Sequence, residues 1–209
     1  MPHVIGLDFG TTNSAVAVAI PDGSTVLATF TGDGYQTTTF RSVLYFDPAI
    51  RTPDRKPRAI AGPEAINGYL QADTRGRLMQ SMKSHLASRV FRETYVFGEK
   101  YTLEDLIAMI LRELRAAAAA QFGDLGASVV VGRPVHFSGA ASTEDDAFAL
   151  SRLRRALGQA GFEEIVFEFE PVAAAYEFES QLDHDELILI ADFGGGTSDF
   201  SLMQVGPGV

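Results

Sequence analysis

The stretch IGLDFGTTNSAVAV, residues 5–18, decides how the rest of the chain is interpreted. Two apolar runs, Val4–Leu7 and Ala15–Ile20, predict two β-strands, and the residues between them are Asp-Phe-Gly-Thr-Thr-Asn-Ser. An ordinary hairpin needs about two turn residues, typically Asn-Gly or Asp-Gly. This connection instead carries a carboxylate at the strand end, then a glycine, then several hydroxyl side chains. The pattern indicates a function beyond turning the chain.

The same pattern recurs near the other end of the sequence, in LIADFGGGTSDFS, residues 189–201. Each copy is an apolar strand that ends in Asp-Phe-Gly, followed by a hydroxyl-rich loop and a second apolar strand. A single glycine-rich hairpin is a plain turn in most proteins. Two copies that begin two similar structural units are hard to explain as turns, and they favour a shared ligand.

The residues of the two loops fit a polyphosphate ligand. Glycines let backbone N–H groups approach an anion and form a nest around it, and Thr11, Thr12 and Thr197 add hydroxyl donors. Asp8 and Asp192 would repel phosphate if bare. They therefore indicate Mg²⁺ held mostly through water, because Mg²⁺ prefers oxygen ligands and retains its hydration. The motif is neither a GxxxxGK[ST] P-loop nor a GxGxxG dinucleotide loop.

The order of predicted elements indicates an α/β fold. The first part of the chain predicts three short strands: Val4–Leu7, Ala15–Ile20 and Thr25–Phe30, with a turn at Pro21-Asp22-Gly23. An irregular stretch with two or three helical pieces continues to about residue 100. Helices and Val- and Ile-rich strands then alternate: a helix capped by Thr102, ASVVVGRP, a helix over 142–160, Glu164–Phe169, EPVAAAYEFES and LILIADF. Such alternation predicts parallel strands joined by helical crossovers.

Composition restricts the classes of partner. The net charge of −10 argues against binding to a nucleic-acid backbone, and no apolar run approaches the length of about 20 residues that a membrane span requires. There are no cysteines, so disulfides and thiolate metal sites are ruled out. The N-terminus lacks the pattern of a signal peptide, so the expected location is cytoplasmic. The four histidines have no metal-ligand spacing and are expected at the surface or in the core.

Several segments carry a resemblance to a known family. IGLDFGTTNSAVAV and ADFGGGTSDFSL resemble the two phosphate loops of the DnaK-type, seventy-kilodalton heat-shock chaperones of the actin-like ATPase superfamily. FEPVAAAYEF is similar to their connecting helix between lobes, and YTLEDLIAMILREL to the long helix after their small first subdomain. VVVGRPVHFSG, followed by AGFEEIVFEFEPVAAA, most closely resembles the short YegD-type branch, which lacks the usual peptide-binding domain.

The resemblance implies ATP or ADP with Mg²⁺ as ligands and gives individual residues a role toward them. Asp8 matches the aspartate beside Mg²⁺, Asp192 the aspartate that orders metal-bound water, and Asp199 a further carboxylate near the ion. The positions that match phosphate contacts are Gly10, Thr11, Thr12, Gly194, Gly195, Gly196 and Thr197.

The implied catalytic residues are Glu170, Lys83, Asp192 and Thr197. Glu170 matches the glutamate that helps to orient the attacking water, although alone it would be an ordinary acid at a helix N-terminus. Lys83, in QSMKSHLASR, matches the lysine at the γ-phosphate, and its ordinary alternative is a surface lysine. Pro134 matches a proline that relays nucleotide state in the chaperones, and its ordinary alternative is to end a strand.

The resemblance implies a ribonuclease-H-like lobe with a central mixed sheet, three antiparallel strands followed by two parallel ones. Residues 1–37 and 101–184 form the lobe core, 38–100 a small inserted subdomain, and 185–209 the first hairpin of a second lobe. The sequence would then be an N-terminal fragment, expected to be inactive alone and to dimerise through its exposed apolar strands.

The function that the resemblance implies is a chaperone ATPase, which hydrolyses MgATP slowly to drive conformational change and works with protein clients or co-chaperones. Three alternatives stay open at this point. The first is a filament protein of the bacterial actin type, and the second is a nucleotide sensor without turnover. The third is a sugar or acetate kinase, which needs an aspartate base; Asp33 is the candidate there.

Overall fold

The computed structural model describes residues 4–20, 23–32, 34–53, 55–72, 76–195 and 198–209. The strands, in chain order, are β1 (Val4–Phe9), β2 (Asn13–Ala19), β3 (Thr25–Leu27), β4 (Phe30–Gly32), β5 (Tyr35–Thr37), β6 (Phe40–Arg41), β7 (Leu44–Arg51), β8 (Pro57–Ala61), β9 (Arg77–Met79), β10 (Glu93–Val96), β11 (Glu99–Thr102), β12 (Ser128–Arg133), β13 (Glu164–Phe169), β14 (Glu186–Phe193) and β15 (Ser198–Val205). The α-helices are α1 (Pro63–Gln71), α2 (Leu103–Phe122), α3 (Thr143–Gln159) and α4 (Glu170–Glu179), and Met82–His85 forms a 3-10 helix.

A mixed sheet lies at the centre of the fold, with the strand order β13-β12-β1-β2-β3 and with β6 paired to β2. Strand β2 is antiparallel to both β1 and β3, whereas β12 runs parallel to both β1 and β13. The predicted central mixed sheet is therefore confirmed. Pro21 and Asp22, at the predicted turn, lie outside the described residues.

The third strand is shorter than predicted. Ala28 still donates its N–H to the carbonyl oxygen of Val16 at 2.8 Å, but the chain then leaves the sheet. Phe30 starts β4, which pairs with β5, and its ring packs edge-on against Phe40 at 5.0 Å between centroids. This contact joins two residues that are ten positions apart in the sequence. It holds Phe30 outside β3, so the strand is shorter than the one predicted from the apolar run Thr25–Phe30.

Alternation along β1 places the core on one face of the sheet. Ile5, Leu7 and Phe9 are buried, and because successive side chains of a strand point to opposite faces, Asp8 faces the other way. The core cluster on the first face includes apolar residues of α2 and α3: Leu106, Ile107, Ile110, Leu111, Leu114, Ala149, Leu153 and Leu157. The opposite face carries α4 beside an open cavity of about 570 Å³.

The two long helices begin at the predicted caps. The Thr102 hydroxyl accepts a hydrogen bond from the Asp105 N–H, and the Asp105 carboxylate accepts one from the Thr102 N–H, which is a capping box. Ser142 caps α3 in the same way through the Asp145 N–H, and Gly161, with φ of 93°, follows its end. No helix in the described part of the chain is both long enough and apolar enough to cross a bilayer.

The region between the first strands and α2 contains more strand than predicted. Its described residues hold the three-stranded sheet β8-β7-β9, on which α1 packs, and the hairpin β10-β11. They also contain one α-helix and the 3-10 helix, which agrees with the expected two or three helical pieces. Two of its residues, Phe40 and Arg41, pair with β2 and so belong to the central sheet.

Strands β14 and β15 form a hairpin that pairs along its full length, from Glu186 opposite Val205 to Phe193 opposite Ser198. Among the described residues these strands hydrogen-bond in a sheet only with each other. Several large apolar side chains on the hairpin are exposed, namely Leu187, Leu189, Phe193, Phe200 and Leu202. The expected dimerisation through this hairpin stays a prediction.

A buried ion pair joins α2, α3 and the segment after the 3-10 helix. The Arg152 guanidinium, 3% exposed, donates from Nε and Nη2 to the two carboxylate oxygens of Glu104 at 3.0 and 3.1 Å. It also donates to the carbonyl oxygens of Ser88 and Phe91, each at 3.1 Å. Burial alone would raise the pKa of Glu104, but the hydrogen bond and charge of Arg152, with the charge of Arg155, bring it below its ordinary value.

We expect Arg152→Ala to lower the free energy of unfolding by about 3 kcal/mol, because it leaves a buried carboxylate with only part of its compensation. The matched control is Arg155→Ala. Arg155 donates to the same carboxylate at 2.9 Å, but its side chain is 60% exposed, so we expect a loss below about 1 kcal/mol. Urea denaturation followed by circular dichroism measures both, and equal losses would contradict the assigned role of Arg152.

Candidate phosphate-binding cleft

Three parallel strands end at one edge of the central sheet and bring the first site residues together. Asp8 is the penultimate residue of β1, Gly132 lies at the end of β12, and Glu170 directly follows β13. The carboxyl ends of parallel strands are where α/β proteins bind ligands. Since Asp8 faces away from the buried side chains of Leu7 and Phe9, its carboxylate points into this cleft.

The connection between β1 and β2 is shorter than the sequence predicted. Phe9 pairs with Ser14, so only Gly10, Thr11 and Thr12 lie outside the two strands. Ser14 is buried within β2, and a hydrogen bond of 2.8 Å with the Ser42 hydroxyl satisfies its own hydroxyl group. The Thr12 carbonyl oxygen also accepts the Ser42 N–H, at 2.9 Å.

Gly10 is required for this tight connection. A Cβ atom at that position would overlap the carbonyl oxygen of Asn13. The Asn13 side chain accepts a hydrogen bond of 2.8 Å from Arg41, which ties the end of the loop to β6. The loop is therefore held at both sides, and its backbone and the hydroxyls of Thr11 and Thr12 line the cleft.

Lys83 and Glu170 form an ion pair across the cleft. Lys83 lies in the 3-10 helix, which follows Ser81 in the left-handed region with φ of 60°. Its Nζ donates to the Glu170 Oε1 at 2.8 Å, and the Lys83 side chain is only 11% exposed. A Cβ atom on Gly132 would come within 3.2 Å of the Glu170 Cγ, so the glycine leaves room for the glutamate stem. The structure thus places Lys83 in the cleft rather than on the open surface.

The second hairpin meets the first loop directly. A Cβ atom on Gly195 would overlap the Thr12 side chain, so the two loops are in contact only because residue 195 lacks a side chain. Asp192 and Asp199 lie directly opposite each other in the β14–β15 register. Like charges at such positions repel, and both carboxylates face the cleft. Gly196 and Thr197 lie outside the described residues.

One cavity of about 220 Å³ gathers the predicted site residues that the structure describes. They are Asp8, Gly10, Thr11, Thr12, Lys83, Glu170, Asp192, Gly194, Gly195 and Asp199. Their positions in the cleft follow from the structure, while the roles implied for them stay predictions.

The segment after β12 adds lining residues that sequence patterns did not single out. His136, Phe137 and Ser138 line the same cavity, beside Pro134. His136 is at the surface, as expected, and it also lines the cleft. The available signal was its place just beyond the carboxyl end of a buried parallel strand, the edge at which Asp8 and Glu170 also lie.

The surroundings of Asp8 disfavour its charged form. Its side chain is open to the cleft, yet desolvation by the surrounding walls raises the pKa of Asp8 above its ordinary value of 3.8. The positive charge of Lys83 opposes this shift, whereas the negative charges of Glu170 and Asp192 add to it. A cation at this point would relieve the repulsion.

The donor set fits Mg²⁺ held through water. Among the residues that the structure describes, no three His, Asp or Glu side chains are close enough together to hold a metal directly. Asp8, Asp192 and Asp199 nevertheless supply only oxygen atoms around one cavity. Mg²⁺ commonly keeps several waters and takes one or two carboxylates together with substrate phosphates, so this set is suitable for such an ion.

Two Asp-Phe-Gly hairpins meet at the carboxyl edge of a central mixed sheet, an arrangement consistent with the actin-like ATPase fold. A family model described as Hsp70 protein matches residues 4–209, and the chain belongs to that family. Membership implies a nucleotide-binding chaperone ATPase, a class that binds ATP or ADP with Mg²⁺ and works with clients or co-chaperones. The match does not favour the filament or sensor alternatives.

We expect Asp8→Asn to raise the melting temperature of the ligand-free chain at neutral pH. A carboxyl whose pKa is raised by folding costs stability wherever it is ionised, above that raised pKa. The gain should shrink as the pH falls through the raised pKa and vanish near and below 3.8, where Asp8 is protonated in the folded and unfolded chain alike. Differential scanning calorimetry across this pH range measures the effect.

The matched control is Glu113→Gln, which removes one negative charge from an exposed position of α2. It should leave the melting temperature nearly unchanged at every pH. A lower melting temperature for Asp8→Asn than for the natural sequence at neutral pH would contradict this account of the cleft.

Proposed function

We propose that the cleft binds the phosphates of MgATP and that the protein hydrolyses ATP slowly to drive the conformational change of a chaperone. The observation that carries the proposal is the contact between Thr12 and Gly195, because it brings the two Asp-Phe-Gly loops to opposite sides of one cavity. The ion pair of Lys83 with Glu170 lies in the same cavity. Phosphate donors, metal-suited carboxylates and a cation are therefore present together.

The two loops would bind the phosphates from opposite sides of the cavity. In the first loop the backbone at Gly10 and the hydroxyls of Thr11 and Thr12 face the cavity, and in the second the backbone at Gly194 and Gly195 does so. Backbone N–H groups in such concave turns bind anions without adding charge. The net charge of −10 does not prevent this, because the donors are local dipoles.

Asp8, Asp192 and Asp199 would hold a hydrated Mg²⁺ beside the phosphates. When bound, the ion neutralises charge on the phosphate oxygens and on the leaving group. The raised pKa of Asp8 supports this assignment, since a cation removes the repulsion that Glu170 and Asp192 impose on that carboxylate. The three aspartates thus favour the ligated over the empty cleft.

Lys83 and Glu170 would act on the reacting groups. The Lys83 ammonium would leave its ion pair for the γ-phosphate, where it stabilises the charge of the transferring phosphoryl group. Glu170 would orient the attacking water from its fixed place above Gly132. The two side chains contact each other at 2.8 Å, so both are positioned in the cleft.

Four finer assignments belong to the same proposal. The segment GRPVHFSG supports the YegD-type branch of the family, in which no peptide-binding domain follows. Residues 1–37 and 101–184 are proposed as the lobe core, 38–100 as the inserted subdomain and 185–209 as part of a second lobe. The cytoplasm is the proposed location, and Pro134, which lines the cleft, is a proposed relay of nucleotide state.

We expect Glu170→Gln to reduce MgATP turnover by about 100-fold, because a misplaced water costs a factor of that size. Turnover by the gene-length protein should be below about one per second, at the slow end for enzymes. Affinity for MgADP, measured by isothermal titration calorimetry, should stay nearly unchanged, since Glu170 would contact water rather than phosphate. Phosphate release measures the turnover.

The matched control is Glu93→Gln, which removes the carboxylate from the exposed ion pair with Lys100. It should leave both turnover and affinity unchanged. Binding of MgADP without any ATP turnover by the gene-length protein would defeat the hydrolytic mechanism and favour a nucleotide sensor. No MgADP binding at all would defeat the proposed site.

A further inference from the structure

A histidine and a buried aspartate form a pair at the wall of the cleft. The His136 side chain is 75% exposed and lines the cavity that contains Lys83 and Glu170. Its Nδ1 lies 2.8 Å from Oδ2 of Asp146 in α3, whose side chain is 9% exposed. The proposed function assigns no role to either residue.

The environment of Asp146 fixes which ring nitrogen of His136 carries a hydrogen. Burial would raise the pKa of Asp146. Other contributions outweigh this effect: the hydrogen bond from His136, the hydrogen bond of 2.7 Å from the Phe137 N–H, and the positive charge of Arg133. The pKa of Asp146 is therefore below its ordinary value, and the group is an ionised carboxylate. An ionised carboxylate only accepts, so Nδ1 donates and Nε2 of the neutral ring presents a lone pair.

The Nε2 atom of His136 is available to a ligand in the cleft. It makes no hydrogen bond to any residue in the described part of the chain. The other titratable groups that share the cavity have assignments already: Lys83 and Glu170 bind each other, and Asp8, Asp192 and Asp199 face the proposed ion.

We propose that His136 is a further catalytic residue, whose Nε2 accepts the proton of the water that attacks the γ-phosphate, with Asp146 as its positioning residue. This inference rests on the proposed function. Imidazole is the commonest general base in enzymes, and a buried carboxylate on Nδ1 is the usual device that orients the ring and stabilises its protonated form.

The step balances as an ordinary hydrolysis. The water oxygen forms a bond to the γ-phosphorus, and the bond between that phosphorus and the oxygen bridging to the β-phosphate breaks. The bond's electron pair leaves with ADP. One water proton moves to Nε2 of His136 and is later released to the phosphate product or to bulk water, which restores the pair.

Two substitutions separate catalysis from a structural link. His136→Asn keeps an amide nitrogen near the place of Nδ1, so it can still donate to Asp146, but it removes Nε2. His136→Gln places a non-basic amide near the position of Nε2. We expect both variants to reduce kcat by about 100-fold, the lower end of the effect of a general base. MgADP affinity should not change in either variant, since the cleft is otherwise intact. The melting temperature should not change in His136→Asn, which keeps a donor to Asp146.

The outcomes separate this inference from the proposed function. Unchanged kcat in both variants would overturn the role of His136 and leave the ATPase proposal standing. A joint fall of kcat and melting temperature in His136→Asn would assign the pair a structural role and also overturn it. If the gene-length protein binds MgADP but shows no turnover, the hydrolytic step and the inference fail together.

Discussion

The contact between Thr12 and Gly195 is the constraint on which the rest of the site depends. Each hairpin alone presents a few backbone donors and one or two carboxylates to solvent. Because residue 195 has no side chain, the second loop packs against the hydroxyl-bearing side chain of the first, and a single cavity results. The repeated Asp-Phe-Gly motif therefore has a geometric meaning: its two copies meet, although almost the whole chain separates them.

The cleft around this contact holds several carboxylates that repel one another, and the surrounding structure keeps them in place. Asp8, Glu170 and Asp192 repel one another, and Asp192 lies opposite Asp199 in its hairpin. Lys83 offsets part of this repulsion, and it is held in place by a 3-10 helix whose following segment is bound to the buried guanidinium of Arg152. The scaffold stabilises a cleft that is electrostatically strained without a cation, as expected of a site built for a ligand.

Much of the scaffold could be predicted from sequence because local rules decide it. The caps at Thr102 and Ser142 and the Val-rich strand ASVVVGRP follow from residue type and spacing. The same rules could not end β3 at Leu27, which depends on packing of Phe30 against Phe40. Nor could they bring Lys83 to Glu170, 87 residues away, or link His136 to Asp146. Such positions depend on tertiary contacts that no short pattern contains.

The affinity of Gly195→Ala for MgADP, measured by isothermal titration calorimetry against the natural sequence, tests whether the two loops form one site. An added methyl group must push the second loop away from Thr12, so we expect the affinity for MgADP to fall at least about tenfold, or about 1.4 kcal/mol. Gly158→Ala is the control, since a methyl group there meets open space in α3. Equal affinity in Gly195→Ala and in the natural sequence would contradict a site formed by the two loops together.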